Sequence, residues 1–321
     1  MSTSAPSVDL GSLPHKDLLT VGQLAPGDIE TIFNAARILK AGREVHTDIL
    51  RGKKLAMLFE KESLRTRFTF DVGMQDLGGS AVFYEHRHAR LGSRESIADV
   101  ARNLERWVHG IVARTFRHKV VEELAKHADI PVINGLTDSM HPCQALSDFF
   151  TLREKWGDVK GRHLYYIGDG NNTCNSLVDA AAKLGCNVTV CAPENYEPHA
   201  AVIEHARTFA RESGAVVEVV NSPGEDIEYA DAVYTDVWAS MHQDGEIEER
   251  NAIFGRYQVN EALMAKTKPG ALFMHCLPAH RGWEVTPGVL DGPQSVVFDQ
   301  AENRLHVQKA ILALLMGKPR K

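Results

Sequence analysis

Long apolar runs are missing from this 321-residue chain. The longest spans seven residues, 310–316, against the ~20 that a membrane-crossing helix needs. The N-terminal stretch MSTSAPSVDLGSLPHKD also lacks a basic start followed by an apolar segment, so no signal peptide is expected. Cysteine is scarce: Cys143, Cys174, Cys186, Cys191 and Cys276 form an odd set with no CxxC and no Cys/His ligand spacing. That excludes a disulfide framework and points to reduced thiols, a cytoplasmic setting, and no metal or cofactor. Charge of one sign is barely in excess, with 36 basic against 42 acidic residues and a net of −6. A broad nucleic-acid surface is excluded, whereas an anionic ligand is not, because a few local arginines decide that. The basic tail GKPRK is only five residues long and reads as a solvated end. No fixed-period repeat or low-complexity tract is present.

With 44% hydrophobic and 24% charged residues the chain is an ordinary globular one, long enough for two domains. Short β-rich runs fall at 55–59, 81–84, 110–114, 132–134, 164–167, 188–191, 216–219, 232–235, 272–275 and 296–298. Helical patterns fill 28–42, 65–77, 95–107, 142–155, 172–184, 198–213 and 303–316. Strands alternating with helices of this length predict βαβ units. The expected fold is α/β, with two doubly wound parallel-sheet domains joined by a long helix near 142–156, ahead of the break GDVKG. Residues 1–150 would form the first domain and 151–302 the second, with the C-terminal helix 303–321 crossing back to the first. Ligands in such sheets lie beyond the strands' carboxyl ends, so residues just after strands carry most weight.

After the strand LAMLFE comes KESLRTR, then a helical pattern. Free N–H groups and the positive helix end favour an anion there. Ser63 and Thr66 add hydroxyls, and Arg65 adds a planar fork suited to phosphate oxygens. The bland alternative is Ser63 as an N-cap beside two solvated arginines. Arg114 ends the strand GIVAR at the same sheet edge, where it would hold an anion or a loop carboxylate. His141 and Gln144 open the long helix; they can address a carbonyl oxygen and an amide, or serve as a cap and a buried polar group.

In the second half, a strand leads into GDGNN, which resembles the start of a dinucleotide fingerprint, with Glu194 after the next strand as ribose acid. Position 173 is Thr rather than Gly, so the fingerprint is incomplete. Asn172 offers an amide at a helix start, or simply caps it. Asp236 and Ser240, in DVWASM, can hold an ammonium and a carboxylate, while Trp238 reads as core. The strand LFMHC runs into HCLPAHRG, whose X-Pro bond suits a tight turn, cis or trans. Cys276 is a nucleophile or, more commonly at such strand ends, an inert core thiol.

The ordered set FEKESLRTRFTF, GLTDSMHPCQALSD, GDGNN, DVWASM, HCLPAHRG and AENRLH resembles the ornithine branch of the aspartate/ornithine carbamoyltransferase family, over about residues 15–316. The resemblance implies transfer of a carbamoyl group from carbamoyl phosphate to the δ-amine of L-ornithine. It implies that Ser63, Leu64, Arg65 and Thr66 hold the phosphate, with Arg114 and Arg304 completing a basic clamp. His141, Gln144, Cys276 and Leu277 would meet the carbamoyl group, and Asn172, Asp236, Ser240 and Met241 the amino acid. It further implies a homotrimer, with the loop carrying Arg90 reaching a neighbouring subunit's site, and closure about helix 142–156. Three positions depart from the pattern: Leu64 stands where Thr is usual, Arg90 where Gln is common, and His242 where Gly follows the SM pair. A carbamoyltransferase for an acylated ornithine or another amine, an NAD-dependent dehydrogenase and a non-catalytic relative are the alternatives.

Overall fold

The computed structural model describes residues 9–42, 48–86, 90–239 and 247–317. The first sheet contains β1 (Lys54–Phe59), β2 (Ser80–Glu85), β3 (Gly110–Arg114) and β4 (Val132–Leu136), all parallel, in the order β2-β1-β3-β4. The second contains β5 (His163–Ile167), β6 (Asn187–Cys191), β7 (Val217–Val220), β8 (Ala232–Thr235) and β9 (Leu272–His275), also parallel, in the order β7-β6-β5-β8-β9. β3 and β4 are buried at every position, as expected of parallel strands covered on both faces. The chain reverses its winding between β1 and β3 in one sheet, and between β5 and β8 in the other. These switch points are where such sheets open a crevice for ligands.

Helix α1 (Pro26–Ala41) precedes the first strand, and α2 (Leu64–Asp76), α3 (Ile97–Trp107), α4 (His118–His127), α5 (Pro142–Trp156), α6 (Asn172–Leu184) and α7 (Ala200–Ser213) follow β1 to β6 in turn. α4 lies outside the helices read from the pattern. α5 starts with Pro at its first turn and ends at Gly157, φ 78°, a conformation that costs glycine little. Three short helices, α8 (Ile247–Phe254), α9 (Glu261–Met264) and α10 (Pro287–Leu290), precede the last one, α11 (Val297–Met316).

The strand expected at 296–298 is not formed. Ser295 bridges Phe273, and the Val296 N–H bonds to the Phe273 carbonyl, but helix begins at Val297. Val297 then fills the second core while Phe298 faces outward, 69% exposed. The β-branched pair Val296-Val297 imitates a strand; tertiary packing overrides that local preference. α11 consequently begins six residues earlier than the 303–316 pattern. It packs against α1, α2 and α5, so the chain's last helix returns to the first sheet. No described helix is long and apolar enough to cross a membrane.

Candidate active site between the two sheets

Both switch points open toward one cleft. Ser63 caps α2 by accepting the Thr66 N–H through its Oγ at 3.1 Å, which sets the helix tip just beyond β1. Thr66 is fully buried and its Oγ1 accepts from Arg304 Nη2 at 2.8 Å, joining α11 to that tip. Beside it, β4 carries one residue more than β3: Ala113 pairs with Asn134, and Arg114 with Leu136. The extra residue is Gly135, whose added Cβ would come within 3.1 Å of Val112. A bulge of this kind re-aims the neighbouring strand end, here Arg114.

Arg65, Arg114 and Arg304 thus converge. Burial pushes the Arg114 guanidinium down to about 9, with Arg304 and Arg65 adding like-charge pressure. Arg304 is lowered by burial and by Arg65. Arg65 is lowered by burial, against the opposing pull of Cys276 and Asp236. Arg114 Nε and Arg304 Nε are buried with no hydrogen-bond partner among the described residues. Clustered cations with unspent donors are stable only where an anion answers them. Burial, then Arg304, Arg114 and Arg65, holds His141 well below its ordinary value, so its imidazole is neutral. His141 Nδ1 and Gln144 Oε1 are likewise buried and unpartnered among the described residues. Leu64, at the first position of α2, points outward, 68% exposed.

The second sheet offers a different edge. Asp236, after β8, is buried; it accepts from Asn171 Nδ2 at 2.9 Å and from the Cys276 thiol at 3.0 Å. Burial and the Asp236 charge push the Cys276 thiol well above its usual range, so it remains protonated. His275 Nδ1 accepts the Leu277 N–H at 2.8 Å, which leaves Nε2 to donate to Glu284 Oε1 at 3.2 Å. This buried pair pins the turn after β9, where the Leu277–Pro278 bond is cis and Leu277 takes φ 57°, unusual for a branched residue. Asp236, His275 and Cys276 offer ligand atoms within 4.8 Å of one another, the one candidate metal-ligating group among the described residues. Each of its donors is already engaged in the bonds just named.

The expected cap of α6 is displaced by one residue. Asn171 caps it, accepting the Thr173 and Cys174 N–H groups, whereas Asn172 donates across the cleft to the Thr137 carbonyl. Asn175 likewise donates to the Ser139 carbonyl, and Ser176 Oγ accepts the His141 N–H. Trp238 is core, stacked on Phe254. Ser240, Met241 and His242 lie outside the described residues. Arg90 stacks over Phe116 at 3.7 Å, beyond the carboxyl end of β3, with Lys61 over the same ring at 4.6 Å. The sequence reading missed Asp148, Asn171, Tyr234, Glu284 and Gln300, whose side chains brace the site. Asn171 sits in the same GDGNN turn; the others carry no local signal.

The dinucleotide reading fails on geometry. A Cβ at Gly170 would come within 2.1 Å of the Pro198 backbone nitrogen, and the Gly170 N–H bonds to the Tyr196 carbonyl. This glycine is thus accounted for by close packing against the chain's own 196–198 segment, with no need of a pyrophosphate to explain it.

Paired parallel sheets with a buried arginine-rich edge facing one that carries Asp236 define a two-domain α/β protein. The family model for the aspartate/ornithine carbamoyltransferase carbamoyl-phosphate-binding domain matches residues 16–154, and that for the Asp/Orn-binding domain matches 160–315. The chain belongs to the aspartate/ornithine carbamoyltransferase family. It is 51% identical over 308 residues to an ornithine carbamoyltransferase of Thermococcus kodakarensis, covering 95% of this chain and 98% of the relative. An ornithine carbamoyltransferase of Pyrococcus furiosus, named anabolic, is also 51% identical over 308 residues, covering 95% and 98%. A solved ornithine carbamoyltransferase structure from the same organism superposes with a TM-score of 0.93 at 50% identity, covering 97% of this chain and all of that one.

Proposed function

We propose that this cleft transfers the carbamoyl group of carbamoyl phosphate to the δ-amine of L-ornithine, giving citrulline and phosphate, in the biosynthetic direction named for the Pyrococcus furiosus relative. The observation that carries this reading is the buried pair Arg114 and Arg304, each with an unspent Nε donor among the described residues, joined by half-buried Arg65 and set beside neutral His141 and the free oxygen of Gln144. Ser63, Leu64, Arg65 and Thr66 bind the phosphate, largely through α2 tip N–H groups, for which an outward Leu64 side chain is no obstacle. His141 donates to the carbamoyl oxygen; Gln144 and the Cys276 and Leu277 carbonyls accept from its amide. Asp236 and Cys276 sit near the ornithine amines, with Asn172, Ser240 and Met241 at its carboxyl end.

The amine attacks as the neutral species and forms the new C–N bond. Charge builds on the carbonyl oxygen, where preorganised donors lower the barrier most. The C–O bond to phosphate then breaks, and the departing phosphate takes the amine's proton, so no separate base is required. The Cys276 thiol donates to Asp236, but a carboxylate is too weak a base to ionise a thiol that burial and that same charge push upward, so Cys276 does not act as nucleophile and no carbamoyl-enzyme forms.

Residues 1–150 with 303–321 form the carbamoyl-phosphate domain and 151–302 the ornithine domain, hinged at α5. Five free cysteines suit the reducing cytoplasm. Assembly as a homotrimer is supported by a cavity of about 940 Å³ beside β2. Val82, Tyr84 and Trp107, each more than half exposed, line it together with Arg90. Apolar surface of this kind marks an interface, from which Arg90 would reach a neighbouring site.

A panel of ornithine, acetylornithine, putrescine and aspartate, assayed with carbamoyl phosphate, tests the function. Carbamoylation of ornithine far above the others is expected. A preference for acetylornithine, or no turnover of any, would overturn it.

A further inference from the structure

Asp148 is fully buried one helical turn beyond Gln144 on α5. Its Oδ1 accepts from Gln144 Nε2 at 2.8 Å and from Gln300 Nε2 at 2.7 Å, and its Oδ2 from the Tyr234 hydroxyl at 3.1 Å. Gln300, on α11, uses its own Oε1 to accept the His275 N–H at 3.1 Å, one residue before Cys276. The two ends of a carboxamide are chemically distinct: one donates, the other accepts. With Nε2 committed to Asp148, Gln144 turns Oε1 the other way, and that oxygen is buried without a partner among the described residues. Flipping the amide would press its oxygen against a carboxylate and offer an NH₂ to the cleft.

We propose that Asp148 is a positioning residue that locks the Gln144 amide with its oxygen toward the NH₂ of the carbamoyl group. Through Gln300 it ties that lock to the Cys276 turn on the opposite lobe. The inference rests on the reading that Gln144 meets the carbamoyl group. The lock is a specificity device: acetyl phosphate has the same shape but a methyl in place of NH₂, and a buried acceptor left unpaired rejects it. A Gln144 free to flip loses this discrimination.

The test uses the full chain and compares the KM for carbamoyl phosphate with the inhibition constant of acetyl phosphate. Asp148→Leu is expected to raise KM about tenfold, with the acetyl phosphate constant within about twofold. Asp148→Asn, whose oxygen accepts from both amides while its NH₂ faces Tyr234, is expected to stay within about threefold in KM. In a Gln144→Ala background, Asp148→Leu should add less than about twofold, because a residue acting through Gln144 has nothing left to orient. Where Asp148→Leu does not fold, Asp148→Ala serves in the same comparisons. Equal losses in the Asn and Leu variants, parallel weakening of both ligands, or a full effect in the Gln144→Ala background would overturn the inference. An unchanged KM in Gln144→Ala alone would instead overturn the reading that Gln144 meets the substrate.

Discussion

The two edges of the cleft are built on opposite plans. At the first sheet, Arg114, Arg304, His141 and Gln144 keep buried polar atoms unpaired among the described residues, and the guanidiniums press on one another. At the second, Asp236 already accepts from Asn171 and Cys276, and His275 is engaged on both ring nitrogens. The first edge is a preformed receptor whose electrostatic cost an anion relieves. At the second, Asp236, Cys276 and His275 are already paired, while Glu284 Oε2 and Trp238 Nε1 behind them have no hydrogen-bond partner among the described residues, so a diamino acid meeting Asp236 must exchange existing hydrogen bonds for its own. On the proposed assignment the difference teaches which ligand organises the site: the edge proposed for phosphate is poised before anything binds, and the edge proposed for the amine adapts.

The sharpest way to break this contrast is at the arginines. Arg114→Ala and Arg65→Ala are each expected to lower kcat/KM for carbamoyl phosphate by about a hundred- to a thousandfold, measured as citrulline formation. Unchanged turnover in both would reject the phosphate assignment. Asp236→Ala should act on the other substrate, raising the ornithine KM about tenfold or more while carbamoyl phosphate affinity shifts little. Equal effects on both ligands would erase the division of labour. Away from the cleft, Tyr84→Glu with Trp107→Glu is expected to dissociate the proposed trimer to monomers by light scattering, because both line the exposed cavity beside β2; a parent protein already monomeric would contradict the proposed interface.

The smallest expected effect is on stability. Burial pushes the Asp148 carboxyl up to about 7, against Gln144, Gln300, Tyr234 and Arg304, which favour its charged form. A folded-state value above the unfolded one means that protonation favours the fold. That contribution is full below the unfolded value of 3.8 and is lost as pH rises through about 7. Asp148→Asn removes this dependence, so its stability relative to the parent should improve between about pH 5 and about pH 8. Denaturant unfolding at both values checks the slope; an unchanged difference would contradict the assigned burial cost.

Most of this architecture was readable from pattern. The nine strands show as short β-rich runs: the inner ones because a parallel strand covered on both faces is largely apolar, and the edge strand β2, with no buried residue, through its β-branched and aromatic residues alone. The residues proposed for the anion edge carry a local signal as well, since Arg114 ends β3, SLRT opens the helix after β1 and the His141–Gln144 pair opens the helix after β4. Residue 171 against 172 was not separable, because both are Asn and a cap is set by backbone geometry. The false strand at 296–298 arose from a β-branched pair whose fate depends on the core it meets. Asp148 and Gln300 are 152 residues apart, and nothing in either neighbourhood signals the partner. Long-range polar networks of this kind exist only in the folded chain.

The contrast between the two edges is tested most directly by calorimetric titration of carbamoyl phosphate, without ornithine, into the parent, Arg65→Ala and Asp236→Ala proteins. Saturable binding to the parent and to Asp236→Ala, with binding lost in Arg65→Ala, is the expected result. Equal binding to parent and Arg65→Ala, or binding that requires ornithine first, would contradict a preformed phosphate edge.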